Sequence, residues 1–223
     1  MAEADKTTIA ILGGTGNLGP GLAQRWAHAG HDVIIGSRKA EKAQDVAAEL
    51  NAELGKDLIR GMANEDAAQE ASIAVLTVQQ EAHQAALSGL RAALQGKLLV
   101  DATARLNFPK LTPPAPPSAA QIAQEILGFG VRVVGAFQTV PAAGLRKNPD
   151  QPLDSDVLVC ADDQDAAQQV IQLARDAGLN AYYAGGLDKS IVVEGITSLL
   201  VTMNKHYGSR HGTIRVAGLP TED

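Results

Sequence analysis

Residues 7–21 read "TTIAILGGTGNLGPG", an apolar run that breaks into glycine and then into helix-forming sequence. Gly14, Gly16 and Gly19 stand in the spacing G-x-G-x-x-G. In such a turn the first glycine permits a sharp bend. The second lets a pyrophosphate approach the backbone, and the third lets the helix pack on the strand. Backbone N–H groups around Thr15, Gly16, Asn17 and Leu18 then face the phosphates, aided by the helix dipole. The triplet alone is a weak signal. Its place after a strand, at the start of a helix and inside a β-α-β unit makes it a dinucleotide-binding reading. The competing reading is a tight strand-to-helix turn that holds nothing.

The next turn bears on which dinucleotide. "HDVII" (His31–Ile35) reads as a buried strand, followed by "GSRKAEK" (Gly36–Lys42). A fold that grips the ribose of NAD places an Asp or Glu here. This chain has Ser37, Arg38, Lys39 and, one turn on, Lys42. A guanidinium forks onto a phosphate or stacks on adenine, and an ammonium adds a point charge. The helix dipole favours acids at a helix start, so a merely solvated basic turn is the weaker reading. The expected cofactor is NADP(H), held at its 2′-phosphate by Ser37, Arg38 and Lys42.

Outward from these turns, strands and helices keep alternating. Strands are expected at Thr7–Leu12, Asp32–Ile35, weakly at Asp57–Gly61, then at Ser72–Val78, Lys97–Ala102, Val131–Ala136, Asp156–Ala161 and Asn180–Gly185. The pattern predicts an α/β protein: a doubly wound parallel (Rossmann) sheet with a small C-terminal α/β extension ending in a long helix, about Leu187–Tyr207. Right-handed crossovers place the early strands' carboxyl ends along one crevice. "GGTGNLG", "GSRK", "TVQQ" and "DATARL" open onto it, joined by "FQTVPAAG" if its strand is parallel. The expected division is an NADP-binding Rossmann domain over 1–137 and a smaller acceptor-cleft and oligomerisation segment over 138–223. Phe108–Pro117 carries five prolines and reads as a semi-rigid loop. "SAAQ" (Ser118–Gln121) is a capping box.

Composition narrows the class. The chain has 223 residues, 45% hydrophobic and 3% aromatic, so Val, Ile, Leu and Ala must build the core. A net charge of −6 argues against a nucleic-acid or anionic-membrane binder, which needs a broad basic surface. No stretch approaches the ~20 apolar residues of a membrane helix. Cys160 is the single cysteine and sits in an apolar strand pattern, which fits a buried thiol and a cytoplasmic location. "MAEADK" has no signal-peptide layout.

Absences count too. There is no Tyr-x-x-x-Lys pair and no histidine or cysteine pattern for a metal. His28 and His31 flank the first helix end, where capping or solvation suffices. No buried acid or base stands out. That favours hydride transfer between two small-molecule redox carriers that need little help from protein acids.

The stretches "IAILGGTGNLGPGLAQRWAHAGHDVIIGSRKAEKA", "GMANEDAAQEASIAVLTV", "TVPAA" and "LDSDVLVCADD" together resemble the NADPH-dependent reductases of coenzyme F-420 (F420), an 8-hydroxy-5-deazaflavin. The resemblance covers most of the chain. It implies hydride transfer between NADP(H) and F420 as co-substrate, by two rings held face to face. Carried over by position, Thr15–Leu18 would hold the pyrophosphate and Ser37, Arg38 and Lys42 the 2′-phosphate. Thr77 and Val78, with Thr139–Ala143 and so Pro141 and Ala142, would line the nicotinamide. Gln80 and Gln138 border the same ring sites, where some members carry Trp and His; Gln138 is expected to face the acceptor cleft. Members are typically oligomeric, and the broad apolar stripe of the last helix (Ile191 to Met203) fits a homodimer or higher homo-oligomer as well as core packing. Two other functions remain: an NADP-dependent reductase of an imine or other small acceptor, and a non-catalytic NADP(H) sensor.

Overall fold

The computed structural model describes residues 7–107 and 109–219; the N-terminal "MAEADK" and Phe108, the first residue of the proline loop, lie outside them. The described residues form one eight-stranded sheet in the order β3-β2-β1-β4-β5-β6-β7-β8. The strands are β1 (Thr8–Leu12), β2 (Asp32–Ser37), β3 (Ile59–Ala63), β4 (Ile73–Leu76), β5 (Leu98–Asp101), β6 (Arg132–Gly135), β7 (Asp156–Ala161) and β8 (Asn180–Gly185). The helices are α1 (Gly19–His28), α2 (Ala40–Leu54), α3 (Asn64–Glu70), α4 (Gln80–Leu90), α5 (Ala119–Leu127), α6 (Ala142–Leu145), α7 (Gln164–Asp176) and α8 (Ser190–Tyr207).

Strands read as unbroken apolar runs because helices cover both faces. Successive side chains alternate faces. Ile9, Ile11, Val33 and Ile35 enter one core with Leu22 and Trp26. Ala10, Leu12 and Ile34 enter the other with Leu87 and Leu99. Trp26 supplies bulk that the aliphatic core otherwise lacks. It is fully buried, meets Phe137 edge-on at 5.9 Å, and donates its Nε1–H to the Leu173 carbonyl at 2.8 Å. The capping box forms: Gln121 N–H donates to Ser118 Oγ (3.1 Å) and Ser118 N–H to Gln121 Oε1 (2.9 Å).

The sheet differs from the expected all-parallel one at a single joint. β1 to β6 are parallel, but β7 pairs antiparallel with β6, and β8 is parallel to β7. A parallel return needs a long crossover, usually a helix. Between β6 and β7 the only helix is α6, four residues long. The strand before "FQTVPAAG" is β6, which is parallel to β5, so this loop does open on the crevice with the others before it enters α6. Only Cys160 and Ala161 of β7 pair with β6, opposite Gly135 and Val134. The first part of β7 therefore projects beyond the carboxyl end of β6, on the crevice side. Two smaller differences follow local geometry. The last helix is preceded by a 3-10 turn, Leu187–Lys189. His31 is buried and ties the end of α1 to α7 through Asp176, Nε2 to Oδ2 2.9 Å, in place of the expected cap.

Candidate functional site

The strand order reverses at β1 and β4, and the loops after those strands open at the switch point. Packing explains the glycines one by one. A Cβ on Gly14 would sit 2.6 Å from the Ile11 carbonyl oxygen, and one on Gly19 2.3 Å from the Gly14 carbonyl oxygen. Gly14 N–H donates to the Gly36 carbonyl at 2.9 Å, locking this turn to the end of β2. Asn64, at the start of α3, accepts from Gly13 N–H at 3.0 Å and braces the loop from outside the motif. A Cβ on Gly16 would meet only the Gly13 oxygen at 3.8 Å, so this glycine leaves room for a ligand rather than for a neighbour. The N–H groups of Thr15, Gly16, Asn17 and Leu18 have no partner among the described residues. Leu18 caps α1 without a side-chain bond, and the first turn holds no acid. Such a helix start can take an anion.

At the end of β2, Ser37 is buried while Arg38 and Lys42 are exposed. Ser37 Oγ accepts from Lys39 N–H at 3.4 Å. Neither Arg38 nor Lys42 has an ion-pair partner among the described residues. Among the described residues the turn has three uncommitted cations, Arg38, Lys39 and Lys42, and one buried hydroxyl.

Thr77 and Val78 follow β4. Thr77 Oγ1 donates to the Leu12 carbonyl at 3.2 Å, which holds the ends of β1 and β4 together. Val78 packs against Gly13, where a Cβ would lie 2.5 Å from its Cγ1. Beneath the neighbouring strand end lies a pair that the sequence reading missed. His83 Nε2 is 2.6 Å from Asp101 Oδ2, both buried. Asp101 Oδ1 also accepts from Thr103 N–H at 2.9 Å. The spacing gave no signal: the two are 18 residues apart, one on α4 and one ending β5. Gln138 donates its Nε2–H to the Asp101 main-chain carbonyl at 3.2 Å, and its Oε1 has no partner. Gln138 is 8% exposed, so it borders the crevice with its amide mostly beneath the surface.

A cleft of about 770 Å³ runs from the phosphate loop to the residues after α8. Gly16, Asn17 and Pro20 form one end; Gln138, Pro141 and Ala142 form the wall; Leu200, Asn204 and Arg210 close the other end. The structure thus brings Gly16, Asn17, Gln138, Pro141 and Ala142 around one space. Arg25 fixes the wall to α1: it is 2% exposed and donates to the carbonyls of Leu145 (2.8 Å), Gln151 (2.9 Å) and Ala177 (2.9 Å). Burial holds its guanidinium below the ordinary arginine range.

Gln80 lies elsewhere. Its Oε1 accepts from Leu106 N–H (2.6 Å) and its Nε2 donates to the Leu106 carbonyl (3.0 Å), so both ends of the amide brace the loop after β5. Glu194 of α8 holds the same loop from the other side. It is fully buried and accepts from Ala119 N–H (2.6 Å) and from Arg105 N–H and Nε–H (3.2 and 3.3 Å). Burial pushes its carboxyl above the ordinary range, against the lowering effect of those N–H groups. Cys160 is buried, which raises its thiol in the same way. Among the described residues no cluster of His, Cys, Asp and Glu could hold a metal, and no helix is long and apolar enough to cross a membrane.

The family model described as NADP oxidoreductase, coenzyme F420-dependent, matches residues 8–105, which contain the phosphate loop, the cationic turn and Thr77. The chain is similar to the F420-dependent NADP reductase of Methanothermobacter thermautotrophicus, 37% identical over 225 residues covering 96% of this chain and 97% of that one. It is similar to the F420-dependent NADP reductase of Methanocaldococcus jannaschii, 40% identical over 223 residues covering 95% and 98%. A solved structure from Arthrobacter sp. FB24, described provisionally as an F420-dependent NADP-reductase, superposes with a TM-score of 0.80 at 26% identity, covering 95% of this chain and all of that one.

Proposed function

The chain belongs to the family of F420-dependent NADP reductases, and from that premise we propose that its crevice passes a hydride between NADP(H) and coenzyme F420. The observation that carries the reading is the open anion site at α1 continuing directly into a cleft. The free N–H groups of Thr15–Leu18 hold the pyrophosphate. Ser37, Arg38 and Lys42 hold the 2′-phosphate, Arg38 by a forked bond and Lys42 by charge. Thr77 and Val78 support the nicotinamide from the β4 side, and Gln138 to Ala142 support it from the cleft wall.

Residues 138–223 supply the acceptor cleft and the oligomer contact. The exposed stripe Val192, Leu199 and Met203 on α8 supports a homodimer or higher homo-oligomer, and the lone buried thiol of Cys160 supports a cytoplasmic setting.

The chemistry asks mainly for position. NADPH gives up a hydride with its electron pair and becomes NADP⁺. The deazaflavin accepts that hydride and takes a proton from solvent. Donor and acceptor carbons must meet at roughly 3–3.5 Å with the rings face to face. A rigid wall, a backbone phosphate grip and exclusion of water from the cleft are what the protein contributes.

The test is turnover. Purified protein is mixed with NADPH and oxidised F420, and loss of the deazaflavin's visible absorbance is followed, with NADH as control. Fast bleaching with NADPH and slow bleaching with NADH is the expected result. Tight NADPH binding without bleaching would overturn the acceptor and leave the dinucleotide site.

A further inference from the structure

The far end of the cleft carries a charge that the reading above does not use. Arg146 and Arg210 are the charged residues on the cleft lining, and no acid joins them. In a chain of net charge −6 this is a local reversal of sign. The two arginines are not equivalent. Arg146 is engaged by Glu49, at 2.8 Å, and by Glu53, at 2.5 Å, which draw it toward α2. Arg210 is exposed, and its guanidinium has no hydrogen bond or ion pair among the described residues.

Its backbone, by contrast, is held. Ser209 N–H donates to the Asn204 carbonyl at 2.9 Å, and Gly212 N–H donates to Asn204 Oδ1 at 2.9 Å. His211 N–H closes the turn on Ser209 Oγ at 3.1 Å. Beyond it the chain is pinned to the projecting start of β7: Thr213 Oγ1 lies 2.5 Å from Ser155 Oγ, Asp156 N–H donates to the Ile214 carbonyl (3.1 Å), and Asp156 Oδ2 accepts from Val216 N–H (2.6 Å). Arg215 is spent on Asp154 and Asp156. A fixed turn thus presents one free guanidinium at the cleft end opposite the phosphate loop.

We propose that Arg210 binds an anionic group, a phosphate or carboxylate, on the side chain of the hydride acceptor. It thereby makes the enzyme selective for deazaflavins with an anionic side chain over the same ring with a neutral one. This rests on the hydride-transfer reading of the cleft. Phosphate could also come from the dinucleotide, so the experiment separates the two sources.

Bleaching with NADPH is measured for the wild-type chain, Arg210→Gln, Arg210→Lys and Lys205→Gln. Lys205 is an exposed cation in the last turn of α8, off the cleft lining, and serves as control. Each protein receives F420, whose side chain is anionic, or the same deazaflavin ring with an uncharged side chain. Arg210→Gln should raise KM for F420 roughly tenfold. KM for the neutral ring and Kd for NADPH should move less than about twofold. Arg210→Lys should keep part of the preference, and Lys205→Gln all of it. Added salt should weaken F420 for the wild type more than for Arg210→Gln. Equal losses on both acceptors, a raised Kd for NADPH, or no change would each overturn the assignment. If the wild type does not bleach F420, the hydride-transfer reading itself falls. If it bleaches both acceptors and Arg210→Gln matches it, only the anion assignment falls.

Discussion

The two sides of the crevice are built on opposite principles. The phosphate loop and the turn after β2 leave groups unpaired: four backbone N–H groups and three cations have no partner among the described residues. The opposite side closes largely on itself. Gln80, Gln138 and Glu194 each bond to backbone from another part of the chain, and Asp101 meets the His83 ring across 18 residues. Among the described residues Thr103 Oγ1, Gln138 Oε1 and Thr139 Oγ1 are buried there without a partner, and the Arg210 guanidinium stands free at its exposed rim. The difference teaches what each side is for. A site that takes a polyanion can wait open because water solvates the free N–H and ammonium groups. A wall that sets the angle of a flat ring must be stiff before the ring arrives.

The largest effect should come from breaking the turn that joins the two kinds of region. Gly19→Ala puts a methyl 2.3 Å from the Gly14 carbonyl oxygen, where backbone cannot yield cheaply. Overpacking of this kind costs about 1–3 kcal/mol, and the distorted loop should lose NADPH as well. Gly16→Ala is the paired control: its methyl meets nothing closer than 3.8 Å. Urea denaturation should find it within about 0.5 kcal/mol of the wild type, while titration finds NADPH weakened. Normal NADPH affinity in Gly16→Ala would show that the ligand does not approach the loop there.

The next effect separates charge from packing. Arg38 is exposed and unpaired, so its removal should leave stability alone. Arg38→Ala should weaken NADPH roughly thirtyfold, the worth of a lost charge-assisted bond, and NADH hardly at all. Titration with both dinucleotides checks it. Equal losses would move the 2′-phosphate elsewhere.

The same contrast explains what was legible in the sequence. Gly14, Gly16, Gly19 and the Ser37–Lys42 turn are contiguous, and each residue answers a local demand: a bend, a close approach, a charge at a strand end. The Ser118–Gln121 capping box was readable for the same reason, since partner and cap lie three residues apart. The acceptor side depends on contacts across the chain. His83 meets Asp101 over 18 residues, Gln138 meets Asp101 over 37, and Glu194 meets Ala119 over 75. No periodicity or spacing encodes those distances, so neither the buried His83–Asp101 pair nor the bonds from Gln80 to Leu106 leave a mark on the sequence. The reversal of β7 was hidden likewise. "DVLVCA" is apolar whichever way it runs, and direction is set by the short connection over 136–155.

The smallest effect probes whether the stiff wall has an electrostatic cost. Glu194 is buried, and burial raises its carboxyl above the ordinary range despite the N–H groups of Ala119 and Arg105. The folded protein then holds this proton more tightly than the unfolded chain does. By linkage its contribution is most favourable below the ordinary carboxylate pKa, and it is lost as pH rises through the raised value. Replacement by Gln removes the charge and that titration, keeps an acceptor for Ala119 N–H, and turns an NH₂ toward the Arg105 donors. As pH rises above the ordinary carboxylate range, the stability difference between wild type and Glu194→Gln should shift steadily in the variant's favour. The loosened Arg105 loop should at the same time raise KM for the acceptor and leave Kd for NADPH unchanged. Denaturation at a series of pH values reads the first part, and steady-state kinetics the second. A difference that stays flat with pH would mean the Arg105 guanidinium fully compensates the buried charge. The acceptor wall would then be held without electrostatic cost, and the contrast with the open phosphate side would rest on hydrogen bonding alone.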